Sequence, residues 1–264
     1  MRLSFTALAF IACSSLPLMA GGVHFNGDVF GGRFDPDGMV AFNGSSPLVI
    51  GQNYKLNKGS AFGANIYFDV GHINFGVGGM QSTYKQDGAP SYGFTYNGIP
   101  FNTSDILSNK MNVTQYDAFV SYEWDLTKYV PGVALQTGPM LKAAKTDVTS
   151  EVVDLYNGNR FKQSQSATAL AIGGRLHLGF VKDLLAIDAE AAISVGGSKR
   201  YHDYQAKFSV HPVPFFNFGV GYRDNRAESR GDFNNSGFSN NDQFDVGQKG
   251  FIAFLGWRIG MGGR

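Results

Sequence analysis

Ten stretches of roughly ten residues alternate apolar with polar side chains, and Gly, Asn, Asp and Pro separate them. They lie near 23 to 33, 60 to 70, 73 to 85, 112 to 125, 133 to 146, 162 to 180, 184 to 196, 201 to 211, 215 to 227 and 249 to 259. A period of two puts alternate side chains on opposite faces of a strand, whereas a helix needs a period near 3.6. No helical pattern of any length competes, so the chain is all-β. The connections alternate too. Val70-Gly71-His72, Leu126 to Gly132, Val181-Lys182-Asp183 and Pro212-Val213-Pro214 are short, while 35 to 59, 86 to 111, 147 to 161 and 228 to 248 are longer. The tight Gly197-Ser198-Lys199 link is the exception. Strands running up and down between two unlike environments give this pattern: short periplasmic turns, longer external loops and, for an even strand number, both termini on the periplasmic side.

Each stretch divides into two unlike faces. In the seventh, Leu185, Ile187, Ala189, Ala191, Ile193 and Val195 oppose Asp188, Glu190 and Ser194. In the ninth, Phe216, Phe218, Val220 and Tyr222 oppose Asn217, Gly219, Gly221 and Arg223. A soluble barrel turns the apolar face inward and a membrane barrel turns it outward. Volume decides between them, because ten strands each supplying about five large apolar side chains would overfill a lumen little wider than that of an eight-stranded barrel. Composition agrees. Charged residues make up 16% of the chain against about 25% in an average soluble domain, and Gly reaches 35 of 264 residues. Gly63, Gly76, Gly78, Gly138, Gly173, Gly219, Gly221 and Gly256 fall mostly on the polar face, where a narrow lumen must leave room for long side chains. Aromatics gather at both strand ends: Phe68, Phe75, Tyr122, Trp124, Phe180, Phe216 and Trp257 on the short-turn side, and Phe62, Tyr116, Tyr204, Tyr222 and Phe251 on the other. That is the double girdle of a membrane-spanning barrel. Pro139 sits within the fifth stretch and cannot donate to a ladder, which predicts a bulge or an early strand break there.

Ahead of the first strand, Met1-Arg2 precedes an apolar run and a small residue, Ala20. This predicts a cleaved secretory signal over 1–20 and a barrel domain over 21–264. Cys13, the single cysteine, leaves with it, so no disulfide is expected; lipid modification at Cys13 is the rival reading. After residue 20 no apolar run is long enough for a spanning helix. A formal net charge of +1 gives no electrostatic case for nucleic acid.

Several local patterns now bear comparison: Asp117-Ala118 through Tyr122-Glu123, Gly196-Gly197 leading into Asp203-Tyr204-Gln205-Ala206-Lys207, Gly219-Val220-Gly221-Tyr222-Arg223, and Gly250-Phe251. Across strands four to ten the chain resembles a group of uncharacterised proteobacterial outer-membrane β-barrel proteins. The resemblance implies a signal peptide and an outer-membrane barrel in contact with lipid, and no particular activity. The barrel-assembly machinery is expected as a partner, although the chain closes on Gly260-Met261-Gly262-Gly263-Arg264 and not on an aromatic residue.

If the short turns are symmetric, His177 meets Asp188, Arg175 meets Glu190, Lys207 comes near Glu190, Arg223 near Asp203 and Asp117 near Lys142, with Arg258 on the same lumenal face. Such a ladder reads first as a paired, largely plugged interior, because unpaired charge there is costly. The expected function is structural or surface-binding, with a small solute or surface ligand as cargo; a narrow porin-like channel is the alternative. A hydrolase using His202-Asp203 is a weaker one, since adjacent strand residues face opposite ways without a bulge. No metal, nucleotide or thiol motif is present, so no cofactor is expected. Arg230-Gly231-Asp232 and Asp35-Pro36-Asp37-Gly38 read as turn chemistry before they read as an adhesion motif or a calcium site.

Overall fold

The computed structural model describes residues 23–41, 47–52, 55–91, 93–96, 99–181, 184–195, 199–229 and 243–261. The expected signal, the Arg230-Gly231-Asp232 loop, the Lys182-Asp183 turn, most of the Gly197-Ser198-Lys199 link and the last three residues lie outside the described residues. Ten long antiparallel strands make the wall: β1 (Val23–Ala41), β2 (Gly59–Val70), β3 (Ile73–Gly88), β4 (Leu107–Tyr122), β5 (Val133–Asp154), β6 (Arg160–Phe180), β7 (Leu185–Ser194), β8 (Lys199–Val213), β9 (Phe216–Ser229) and β10 (Gln243–Met261). Each pairs with its neighbours in sequence, and β10 pairs back onto β1, which closes the sheet. Following the register once around from Phe25, through Phe68, Phe75, Val120, Leu141, Ile172, Ile193, His202, Arg226 and Gly247, returns to Asp37, a stagger of twelve residues. For ten strands this sets a tilt of about 40°.

The apolar face points outward over the lower part of the wall. Phe251, Phe62, Leu170 and Val220 are exposed, Phe251 to 74%, while Lys142 and Arg223 are each 2% exposed inside. A belt of bare apolar side chains around a charged interior has no place in water and fits lipid. The molecule is a transmembrane β-barrel. On the outer face of β6, Phe180, Leu178, Leu176, Ile172 and Leu170 give way to Thr168, Ser166, Ser164 and Lys162. On β4 the change falls between Tyr116 and Thr114, and on β9 between Tyr222 and Asp224. These breaks coincide with the upper aromatic girdle.

Above that girdle the strands continue farther than the alternation foretold. β1 runs on to Ala41, β4 begins at Leu107, β5 ends at Asp154 and β6 begins at Arg160, so much of the expected external loops is wall. Here the faces exchange character: Phe34, Val40, Tyr84, Leu107, Met111, Val148, Val152, Phe244 and Val246 are buried inside, and Leu48 and Ile50 fold in to join them. Leu48 is held by pairing with Val40, and Ile50 by its N–H donating to the Gly38 carbonyl at 3.0 Å. The segment Asp35 to Gly38 is therefore strand and not a turn; it runs within β1, with Gly38 at φ 105 where a side chain would be strained.

Pro139 brings a milder outcome than expected. β5 runs through it unbroken and in register, and its side chain faces outward. The interruption falls on the neighbour. β4 stops at Tyr122, opposite the missing donor, and pairing resumes at Trp124–Asp125. On its other side β4 stays attached, because the Glu123 N–H donates to the His72 carbonyl at 2.8 Å and extends the pairing with β3. Inward glycines create space for inward rings: a Cβ at Gly63 would strike Phe30, and one at Gly76 would strike Phe119.

Candidate functional site: a charged partition in the lumen

Period-two strands with short turns fix which side chains meet inside. The β6–β7 register sets Arg175 against Glu190 and His177 against Asp188, and His177 Nδ1 lies 2.7 Å from Asp188 Oδ1. At the centre, Lys142 from β5 donates to Glu190 of β7 at 2.6 Å and to Asp203 of β8 at 2.7 Å, with Asp117 of β4 at 3.9 Å. Arg223 of β9 grips Asp203 through two parallel bonds of 2.9 and 2.8 Å, and its Nη2 reaches Asp117 at 3.4 Å. The fork geometry of the guanidinium suits that bidentate grip. Tyr201 donates its hydroxyl to Asp203 at 3.1 Å and accepts from Gln115 at 2.7 Å. Five strands thus meet through one knot of charge across the barrel.

Two further groups continue it. Arg175 donates to Glu123 at 2.8 Å, lies 3.9 Å from Glu190, and stacks over the Phe119 ring at 4.8 Å. Lys207 does not reach Glu190 as the symmetric-turn reading expected. It crosses the lumen and donates to Asp28 of β1 at 2.7 Å, where Asn65 also donates, and its ammonium lies 5.2 Å above Phe254. Its register partner is Asp188, and that carboxylate is engaged by His177. Arg258 shares the inward face but stands exposed at the turn-side rim, outside the knot.

Four cations, Lys142, Arg175, Lys207 and Arg223, therefore face five carboxylates, Asp28, Asp117, Glu123, Glu190 and Asp203. Near-neutral pairing with several hydrogen bonds per charge is what makes a buried ionic cluster tolerable. A cavity of about 40 Å3 lies beside Arg175, Glu190 and Lys207, and one of about 10 Å3 beside Lys142 and Arg223. Asp28, Glu123 and Tyr201 were not part of the ladder expected from the sequence. Asp28 lies 179 residues from Lys207, and its own inward series, Asn26, Asp28, Phe30 and Phe34, mixes polar with aromatic residues.

His202 and Asp203 face opposite ways. Asp203 is in the knot, while the His202 ring stacks on Tyr204 at 5.1 Å and lies 3.7 Å from Asp224. Among the described residues no group of three His, Cys, Asp or Glu side chains is arranged to hold a metal ion.

No protein-family model matches the chain, and no curated protein matches it in sequence. Solved structures similar to it include the outer membrane protease OmpT from Escherichia coli, at 10% identity over 94% of this chain and 99% of that one, with a TM-score of 0.46. Another is Ail, the attachment invasion locus protein of Yersinia pestis, in complex with the heparin analogue sucrose octasulfate, at 10% identity over 90% and 99% with a TM-score of 0.37. Neisserial surface protein A matches at 13% identity over 89% and 98% with a TM-score of 0.34. All three are proteobacterial outer-membrane β-barrels, and the likeness concerns the barrel fold alone.

Proposed function

We propose that this chain is exported through a cleaved leader over residues 1–20, is inserted by the barrel-assembly machinery into the outer membrane of a Gram-negative cell, and serves there as a closed structural or surface-binding protein. One observation carries the reading: Lys142 and Arg223 join Asp117, Glu190 and Asp203 into a cross-lumen partition at 2.6 to 3.9 Å. A hydrated ion would have to break several charge-assisted bonds at once to pass. The apolar packing above the knot, with Leu48 and Ile50 seated inside, adds a second closure. A non-catalytic role is supported by the separation of His202 from Asp203 onto opposite faces of β8. Planar-bilayer recording tests the reading. Purified protein should give no steady conductance, and stable openings of nanosiemens order would instead establish the narrow channel.

A further inference from the structure

A row of cations faces outward above the upper girdle. Lys85 of β3 stands directly opposite Lys110 of β4, Lys110 opposite Glu151 of β5, and Glu151 opposite Lys162 of β6. Arg160 takes Glu151 at 2.8 Å. Asp87, the other acid beside the row, accepts from the Ser108 hydroxyl at 2.6 Å. Lys85, Lys110 and Lys162 have no described carboxylate within ion-pair distance. Like charges placed directly opposite in a sheet are destabilising, so Lys85 against Lys110 calls for an anion from outside. The far wall differs: there Asp245 and Asp37 flank Arg226, and Asp35 lies 3.5 Å from Lys58.

Height narrows the choice of anion. Lys110 lies six residues beyond the girdle residue Tyr116, and Lys162 eight beyond Leu170, the last apolar outward residue of β6. At about 3.3 Å per residue and a tilt of about 40°, the row stands roughly 15–20 Å above the hydrocarbon boundary. Ordinary phospholipid headgroups extend only about 5–8 Å beyond the hydrocarbon. The row is level with a lipid whose headgroup is a saccharide. We propose that this strip of β3 to β6 seats the phosphate groups on the saccharide headgroup of an outer-leaflet glycolipid, an inference that rests on the outer-membrane reading.

The test uses detergent-purified barrel with four probes: lipopolysaccharide, enzymatically dephosphorylated lipopolysaccharide, phosphatidylglycerol vesicles and inorganic phosphate. Wild type should retain intact lipopolysaccharide at least tenfold better than the dephosphorylated form or the vesicles. Inorganic phosphate should not compete. The triple variant Lys85→Gln, Lys110→Gln, Lys162→Gln should lose that advantage, while Lys249→Gln on the far wall should keep it. All three lysines lie on the outward face, so heat-modifiable migration should be unchanged; if the triple variant does not fold, each single variant should still lose about threefold. Equal retention by the variants, equal binding of the dephosphorylated form or of phosphatidylglycerol, or displacement by free phosphate would each overturn the proposal. Fractionation of the wild type away from the outer membrane would instead overturn the reading of its location and leave the lysine dependence measured in detergent intact.

Discussion

In β5, Leu141 and Ala143 face outward and Lys142 faces the lumen; farther along the same strand Thr149 and Glu151 face outward while Val148 and Val152 face in. β4 does the same, with Tyr116 and Val120 outside Asp117 below, and Lys110 and Asn112 outside Met111 and Val113 above. The pleat is continuous, so nothing in the backbone distinguishes the two regions. What differs is the solvent. Lipid accepts the apolar face below the girdle and leaves the charges to satisfy one another inside; water above it reverses the preference, and the apolar side chains pack inward as they would in a soluble barrel. The lower half is held by specific pairing, the upper half by ordinary burial.

Damage to the lower half should cost most. Lys142→Met strands Asp203, Glu190 and Asp117 around a lost cation. It should lower stability by about 3–5 kcal/mol, read as the urea midpoint of refolded protein in detergent or lipid. The outer face should discriminate almost as sharply. Val220→Arg in the lipid belt should cost about 2–4 kcal/mol in the same assay, and Thr83→Arg on the outer face above the girdle less than about 0.5. Equal costs at the two sites would remove the distinction between the halves. In the upper interior Met111→Ala should cost about 2 kcal/mol, as a cavity in an apolar core does.

The smallest effect belongs at the external tip between β5 and β6. There Asp154 accepts from the Tyr156 and Asn157 N–H groups at 2.8 and 3.2 Å and from the Asn157 side chain at 2.7 Å. These donors hold its carboxyl below the usual carboxylate range, the backbone bond from Tyr156 foremost. A depressed value means that the stabilisation is present above the carboxylate range and lost as pH falls through it. Amide exchange at Tyr156 and Asn157 should therefore quicken on acidification and in Asp154→Asn, with the rest of the barrel unchanged.

Strand identity, direction and the lipid face were legible because one environment surrounds the lower wall and the alternation there keeps one sign. The sign change at the girdle hid the upper strands: Thr146, Val148, Ser150 and Val152 inside Lys145, Asp147, Thr149 and Glu151 read as a polar loop when only the apolar-out pattern is sought. In the lumen, pairs across one short turn, such as His177 with Asp188, follow from local sequence. Lys207 with Asp28 does not, because only closure of β10 onto β1 and the curvature of the wall bring them together.

The exchange of faces can be measured along one strand. Single cysteines placed outward on β6 at Ser164, Thr168, Ile172 and Leu176, in protein lacking residue 13, can be labelled with a fluorophore in vesicles of brominated lipid. Residues 172 and 176 should be quenched by lipid and closed to a membrane-impermeant maleimide, and residue 164 should show the reverse. Lipid quenching at 164, or aqueous labelling at 172, would contradict the boundary at the girdle.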